Sequence, residues 1–384
     1  MSIVEQLKNS EVVGFRQHFH AYPELSNSEE KTAEYIVKFL SNFEGLEFAK
    51  GVAGHGVVVD INAPGATKTL LMRADMDALP IEEKNNVTYK SRNKGIMHAC
   101  GHDAHMAILM GVIKSLMAQA DKLKVNVRFV FQPAEEGGGG AANMIKAGVL
   151  GDNVVAAIAL HMFPDIPCGM IGLKKGAIMA SVDEFVLTMN GVGGHGATPE
   201  KTSVLPYVAS QVVNGLYSMV PRKFAPTENS LLSVTSIDCK SSNNVMPTEC
   251  VIEGSMRNFT NYARDLMPVY AEQFVGCTCA GLDVDYKFDV ARLYPPLINN
   301  GAMVDELEKV VHKMAKPYYL DAPLMISEDF AFFAEYVPSV FALLGCGNKA
   351  KGINKPLHSD EFNIDEDSLD IGVKMLVQFA LNFK

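Results

Sequence analysis

Positive charge is what this sequence has too little of. Its 384 residues carry 34 Lys and Arg against 44 Asp and Glu, a net charge of −10 with pI near 5.5. That balance argues against a nucleic-acid or acidic-membrane binder, since both need a positive field. No apolar run reaches the roughly 18–20 residues that a membrane span requires. The opening MSIVEQLKNSEVVGF lacks the basic, apolar and small-residue order of a signal peptide, so none is expected. Seven cysteines, an odd number in a long chain, fit a reducing compartment better than a disulfide framework. Cys277-x-Cys279 has no matching second pair and reads as structural. The expectation is a cytoplasmic enzyme whose partners include neither nucleic acid nor membrane.

What is present reads as ordered and globular: 48% hydrophobic, 20% charged, 18 Pro and 31 Gly. The length exceeds one ordinary core and suits two domains. Residues 2–20 and 26–43 read as helices around Tyr22-Pro23-Glu24, with Glu29 and Glu30 suited to a first helical turn. Strand material follows at 57–61, 69–74, 125–131 and 154–160, with a helix from 106 to 117 between the second and third. Strands alternating with helices at this spacing predict an α/β fold with a mainly parallel sheet and helices on both faces. The pattern then changes. Residues 184–190, 231–238, 249–257 and a segment ending near 290 read as strands, with helices at 204–219 and 261–276. This predicts a smaller inserted α+β domain over 183–294. The catalytic domain is then discontinuous, 1–182 plus 295–384, with helices at 300–315 and 366–381 and a strand at 340–344.

The polar residues collect at strand ends, where open α/β sheets bind ligands. Asp75 and Asp77, Glu135 and Glu136, His161 and His358 all follow expected strands. Cys100 and His102 precede a helix, which is the same side of such a sheet. Cysteine, histidine and carboxylate together suit zinc, with manganese or cobalt as alternatives. Cys100, His102, Glu136, His161 and His358 are too many donors for one open tetrahedral site and enough for two ions sharing a bridge. The neighbour of Glu136, Glu135, is then free to take a proton from water and pass it to a leaving group. Gly191-x-Gly193-x-x-Gly196 formally matches a dinucleotide fingerprint but lies mid-chain without a suitable acid about 20 residues on. Its glycines instead suit a tight loop presenting His195, which could stabilise an oxyanion.

These motifs resemble the metal-dependent amidohydrolases that include hippurate hydrolase, indole-acetyl-amino-acid hydrolase and N-acetyldiaminopimelate deacetylase, relatives of aminoacylase and some metallo-carboxypeptidases. The resemblance rests on His18-x-His20 with Pro23-Glu24-Leu25, Arg73 through Pro80, His98-Ala99-Cys100-Gly101-His102-Asp103 and Phe131 through Gly137. It continues in His161, Gly193-Gly194-His195, Asn244 through Pro247, Gly254-x-x-Arg257, Ser327 through Phe330 and Leu357-His358. It implies that Cys100, His102, Glu136, His161 and His358 hold two divalent ions per subunit and that Glu135 is the general base and acid. The inserted domain would serve as a dimerisation element or lid in a homodimer or a higher assembly. His195 would hold the oxyanion, in many relatives at the partner subunit's site. Asn244 and Arg257 would meet the substrate, and Asp77 and Asp103 would orient imidazoles behind the metals. The implied reaction is hydrolysis of an N-acyl-L-amino acid, with a dipeptidase or carboxypeptidase of the same superfamily, or N-acetyldiaminopimelate deacetylase, as alternatives. Departures at Glu200, Leu205-Pro206 and Asp360 bear on acyl preference rather than on hydrolysis, and Met246, where relatives usually have Ile, is a mild apolar swap. The roles of His98 and His105 stay open at this point.

Overall fold

The computed structural model describes residues 9–384. Of the helix expected over 2–20, the part before residue 9 lies outside the described residues, and the remainder is the helix Asn9–Ala21. The chain divides into two compact units. The first comprises the chain up to Gly176 with Ile298–Ala322 and Phe332–Lys384; the second comprises Ala177–Leu297 with Pro323–Ala331.

The first unit is built on an eight-stranded sheet. Thr69–Asp75 is buried at every position and lies parallel to both neighbours, Asn126–Gln132 and Val154–Pro167. Ser339–Gly347, also buried throughout, continues the parallel centre beside Val154–Pro167. Near-continuous apolar strands of this kind are stable only where both faces are covered. Along Thr69–Asp75, Leu70, Met72 and Ala74 join the main core while Leu71 and Arg73, pointing the other way, are buried as well. The register pairs Asp75 with Gln132 and His161 with Leu343. Three strands therefore deliver the loops that follow them to one edge.

Three strands absent from the sequence reading complete the sheet. Glu47–Val52 pairs antiparallel with Gly56–Ile61 at one edge, and Met170–Leu173 with Lys316–Tyr319 forms the other. Glu47–Val52 is exposed along most of its length, and the other two have four residues each. An exposed edge strand and strands of four residues carry too little period-2 apolar signal to be read.

The helix His102–Met117 is apolar on nearly every side, so it needs cover all round. All of it except Lys114 and Met117 is buried, against the sheet and against Asn9–Ala21 and Asp367–Asn382. Each large apolar side chain so buried contributes about 1.5–3 kcal/mol, which is what holds its first residue, His102, at a fixed depth. The residue before it, Gly101, has φ +90, and a Cβ there would come within 3.0 Å of Met162. No side chain fits that entry.

The second unit has a four-stranded antiparallel sheet in the order Leu231–Asp238, Glu249–Arg257, Val182–Asn190, Asp285–Tyr294. The helices Leu205–Lys223 and Asn261–Ala280 pack on each other and on this sheet. The sequence order strand-helix-strand, strand-helix-strand is the split β-α-β arrangement. Its own core includes Phe185, Leu187, Val208, Val212, Ile252 and Met267. Among the described residues, no helix is long and apolar enough to cross a membrane.

Candidate metal centre

Cys100 is the meeting point of the site. Its sulfur lies 3.4 Å from His161 Nε2 and 3.3 Å from His358 Nε2. It belongs to two groups whose donor atoms all fall within 4.8 Å of one another, Cys100–His102–His161 and Cys100–Glu136–His358. A third group of the same kind joins His102 to Glu135 and Glu136. The five candidate ligands from four separate stretches of sequence thus converge in the first unit.

Their hydrogen bonds set which nitrogen each imidazole presents. His161 Nδ1 donates to the Met162 carbonyl at 2.8 Å, leaving Nε2 with a bare lone pair toward Cys100. His102 Nδ1 donates to the Asp77 carbonyl at 2.8 Å, so its Nε2 likewise faces inward. His358 sits on a left-handed backbone, φ +63, and its N–H donates to the Ala99 carbonyl at 2.8 Å. A non-glycine residue at such φ is strained, and strain of this kind gathers at functional sites. Glu136 Oε1 lies 3.2 Å from His358 Nε2 and 4.0 Å from His102 Nε2.

Asp77 ties the two glutamates to this frame. Its carboxylate accepts the N–H of Glu135 at 3.1 Å and the N–H of Glu136 at 2.9 Å. Asp103 lies elsewhere. It accepts from Arg16 Nε at 2.9 Å and His20 Nδ1 at 2.8 Å, and His20 Nε2 meets Glu83 at 3.1 Å. The imidazole it orients is therefore that of His20, in a buried ionic network.

The two histidines left open by the sequence separate cleanly. His105 Nδ1 donates to Asp75 Oδ1 at 2.6 Å while its Nε2 accepts the Met162 N–H at 2.8 Å. Both nitrogens are used, and none is left for a cation. His98 is buried with neither nitrogen hydrogen-bonded among the described residues, and burial pushes its pKa down to about 3. It is a neutral ring at physiological pH.

The electrostatics of the cluster fit a cation. Burial, reinforced by Glu136, pushes the Cys100 thiol well above its usual range. Burial opposes charge on His102, yet Asp75, Cys100 and Asp77 outweigh it and hold the ring well above the usual imidazole value. Asp75, although buried, is held well below the carboxylate range by His102, His105 and Arg73. Negative charge therefore exceeds what the side chains neutralise, and protons are drawn in to compensate. His102 Nε2 and Glu136 Oε1 are buried and make no hydrogen bond among the described residues. Leaving such atoms unpaired costs about 1–3 kcal/mol each. A divalent cation held there would satisfy both atoms and would take the place of the protons on Cys100 and His102.

The other candidate residues belong to the second unit. His195 lies on the short strand Gly194–His195, paired with Val245–Met246. Its Nδ1 accepts the Ala197 N–H at 3.0 Å, so Nε2 carries the ring proton. The Asn244 amide is 3.0 Å from that Nε2 and must present its oxygen there to accept. Arg257, at the end of Glu249–Arg257, donates to Ser327 Oγ at 3.2 Å.

The chain as a whole is similar to known proteins. A thermostable carboxypeptidase of Saccharolobus solfataricus is 34% identical over all of this chain and 99% of its own length. An N-acetyl-L-cysteine deacetylase of Bacillus subtilis is 38% identical over 94% of this chain and 85% of its own. A solved structure of a Bacillus subtilis dinuclear metal-binding peptidase, 30% identical, superposes with a TM-score of 0.86 over 97% of both chains. Residues 71–382 match peptidase family M20/M25/M40. With that match and the Cys–His–Glu cluster in view, the chain belongs to peptidase family M20/M25/M40 and is a metal-dependent hydrolase of amide bonds.

Proposed function

We propose that the enzyme hydrolyses the amide bond of N-acyl-L-amino acids, giving a carboxylic acid and a free amino acid. The observation that carries this reading is the convergence of Cys100, His102, Glu136, His161 and His358 with an adjacent carboxylate, Glu135, at the edge of the cluster. The similarity to an N-acetyl-L-cysteine deacetylase supports the substrate class. In this reading the five residues would hold two zinc, manganese or cobalt ions per subunit, with Cys100 common to two of the donor groups. Bound ions supply Lewis acidity toward the scissile carbonyl and toward water.

Glu135 then moves the proton. It takes one from the attacking water and gives it to the departing amine nitrogen, so the carboxylate is regenerated each turnover. Its burial keeps bulk water from competing for that proton. His195 gives its Nε2–H to the carbonyl oxygen as that oxygen gains charge, releasing the Asn244 oxygen that holds the proton, and the imidazole's tautomer, before substrate binds. Arg257 pairs with the free carboxylate of the amino-acid portion, which its fork binds in a bidentate way. The reading includes a cytoplasmic homodimer with the inserted domain, residues 183–294, as its dimerisation element.

A second reading, a carboxypeptidase or dipeptidase acting on peptides, is favoured by the similarity to the Saccharolobus carboxypeptidase over the whole chain. A panel of hippurate, N-acetyl amino acids, N-acetyldiaminopimelate and dipeptides, each assayed with Zn²⁺, Mn²⁺ and Co²⁺, separates the two. Turnover of N-acyl amino acids above that of dipeptides is expected. Dipeptides cleaved faster than every acylated amino acid would overturn the first reading.

A further inference from the structure

The turn bearing Glu135 and Glu136 is held from a distant part of the sequence. Glu29 Oε1 accepts the N–H of Ala134 at 2.8 Å across 105 residues. Asp77 takes the next two N–H groups, those of Glu135 and Glu136. Three consecutive amides therefore end on two carboxylates. Ser26 Oγ donates to Asp77 Oδ2 at 2.6 Å, and the Asn27 amide reaches the Gly137 carbonyl at 3.4 Å. The residues of 26–29 thus press on 134–137, and a Cβ at Gly137 would come 2.8 Å from Ser26 Oγ.

The backbone under this clamp is not one the chain adopts unaided. Ala134 has φ +55, in the left-handed region that non-glycine residues avoid. Four residues past Glu136, Gly140 folds back so closely that a Cβ would lie 1.7 Å from the Pro133 carbonyl oxygen. The Gly140 N–H closes the loop on the Ala134 carbonyl at 3.0 Å. A left-handed residue immediately before Glu135 sets the direction in which the Cα–Cβ bonds of Glu135 and Glu136 leave the chain.

Stability alone does not call for this device. Glu29 is fully buried, and its Oε2 makes no hydrogen bond among the described residues. It stands with Asp77 behind two further carboxylates, and like charges brought together in a low dielectric oppose one another. An apolar side chain would cover the same space without that conflict, but it could not accept the Ala134 N–H.

We infer that Glu29 is a positioning residue for Glu135, fixing the Ala134 amide so that the proton-carrying carboxylate stands at its working angle. The inference rests on the reading of Glu135 as proton carrier. The amide bond's chemistry is sensitive to such placement, since a displacement of about 1 Å can cost on the order of a hundredfold in rate.

The test compares Glu29→Ala, Glu29→Gln and Glu29→Asp in the metal-loaded enzyme, using the best substrate of the panel above. Three quantities are read: kcat against KM, metal content, and hydrogen exchange of the peptide spanning 133–140. In Glu29→Ala, kcat is expected to fall at least about tenfold, with KM and metal content unchanged and faster exchange over 133–140. Glu29→Gln keeps an oxygen acceptor and restores both kcat and protection. Should Glu29→Ala fail to fold, Glu29→Asp, whose acceptor is drawn back by one methylene, takes its place with the same expectations. Wild-type kcat, or unchanged exchange over 133–140, in the folded variant overturns the inference, as does a Gln variant no better than Ala. Glu135→Gln is measured alongside. If that variant keeps its activity the reading of Glu135 fails, while the exchange data still decide whether Glu29 holds the turn.

Discussion

His105 is bonded through one nitrogen to Asp75 and through the other to the backbone of Met162, at 2.6 and 2.8 Å. It stands beside His102 and His161 yet has no lone pair to offer. Replacing His105 by Ala is therefore expected to act on stability. It removes the partner of Asp75 Oδ1, leaving Arg73 on Oδ2, and that of the Met162 N–H, a loss of about 1.5–3 kcal/mol for a hydrogen bond to a charged group. His102→Ala is expected instead to lower metal content. Thermal melting and elemental analysis on both variants separate the roles, and equal metal loss in both would contradict the distinction.

Glu135 and Cys100 make a second contrast. Glu135→Gln keeps the shape of the side chain but cannot carry a proton, so kcat should fall by roughly 10²–10⁴ with metal content intact. Cys100→Ser should lose metal first and activity as a consequence. Elemental analysis beside steady-state kinetics reads both. Full occupancy in Cys100→Ser would remove the thiolate from the ligand set.

The pairing of Asn244 with His195 predicts non-additive kinetics. Losing an oxyanion donor costs about 10²–10³ in kcat, which is the expectation for His195→Ala. Asn244→Ala should cost less, because the imidazole remains but is free to turn. The double variant should be no slower than His195→Ala alone. A multiplicative loss would show that Asn244 acts on its own.

His20 predicts a dependence of stability on pH. Burial alone would lower its pKa, but Asp103 and Glu83, one at each ring nitrogen, outweigh burial and raise it. A group whose pKa is raised on folding stabilises fully below its unfolded value, near 6.5, and loses that contribution as pH rises through the folded value. The melting temperature of wild type should thus exceed that of His20→Gln most at pH 6. The gap should narrow toward alkaline pH. A gap that widens with pH would mean the ring is buried neutral.

Much of this was legible in the sequence, for reasons that can be named. Leu70–Met72 and Val340–Leu344 are unbroken apolar runs without alternation, as strands buried on both faces have, and Thr69–Asp75 and Ser339–Gly347 are buried at every position. Cys100, Glu136, His161 and His358 stand out because each is a metal-ligand type after an expected strand or before an expected helix, although the strand Val154–Pro167 runs on past His161 instead of ending before it. The exposed Glu47–Val52 and the four-residue strands had no pattern to find. Nor could Glu29 be distinguished from an ordinary first-turn acid. The helix begins one residue later, at Glu30, and the Glu29 side chain turns inward to Ala134. His20 and Asp103 pair across 83 residues, a contact that only the folded chain reveals.

The bond between the His358 N–H and the Ala99 carbonyl has a consequence in time. His358 stands 258 residues after Cys100, whose sulfur it faces. At roughly 5–20 residues per second, a ribosome needs about 13–52 s to make the intervening chain. Once His161 is made, the nascent chain holds Cys100, His102, Glu136 and His161 and lacks His358 for the next 197 residues, about 10–39 s at that rate. On the reading that these five residues hold the metals, the cluster closes only when His358 has been made, and a product cut short before it carries four of the five candidate ligands.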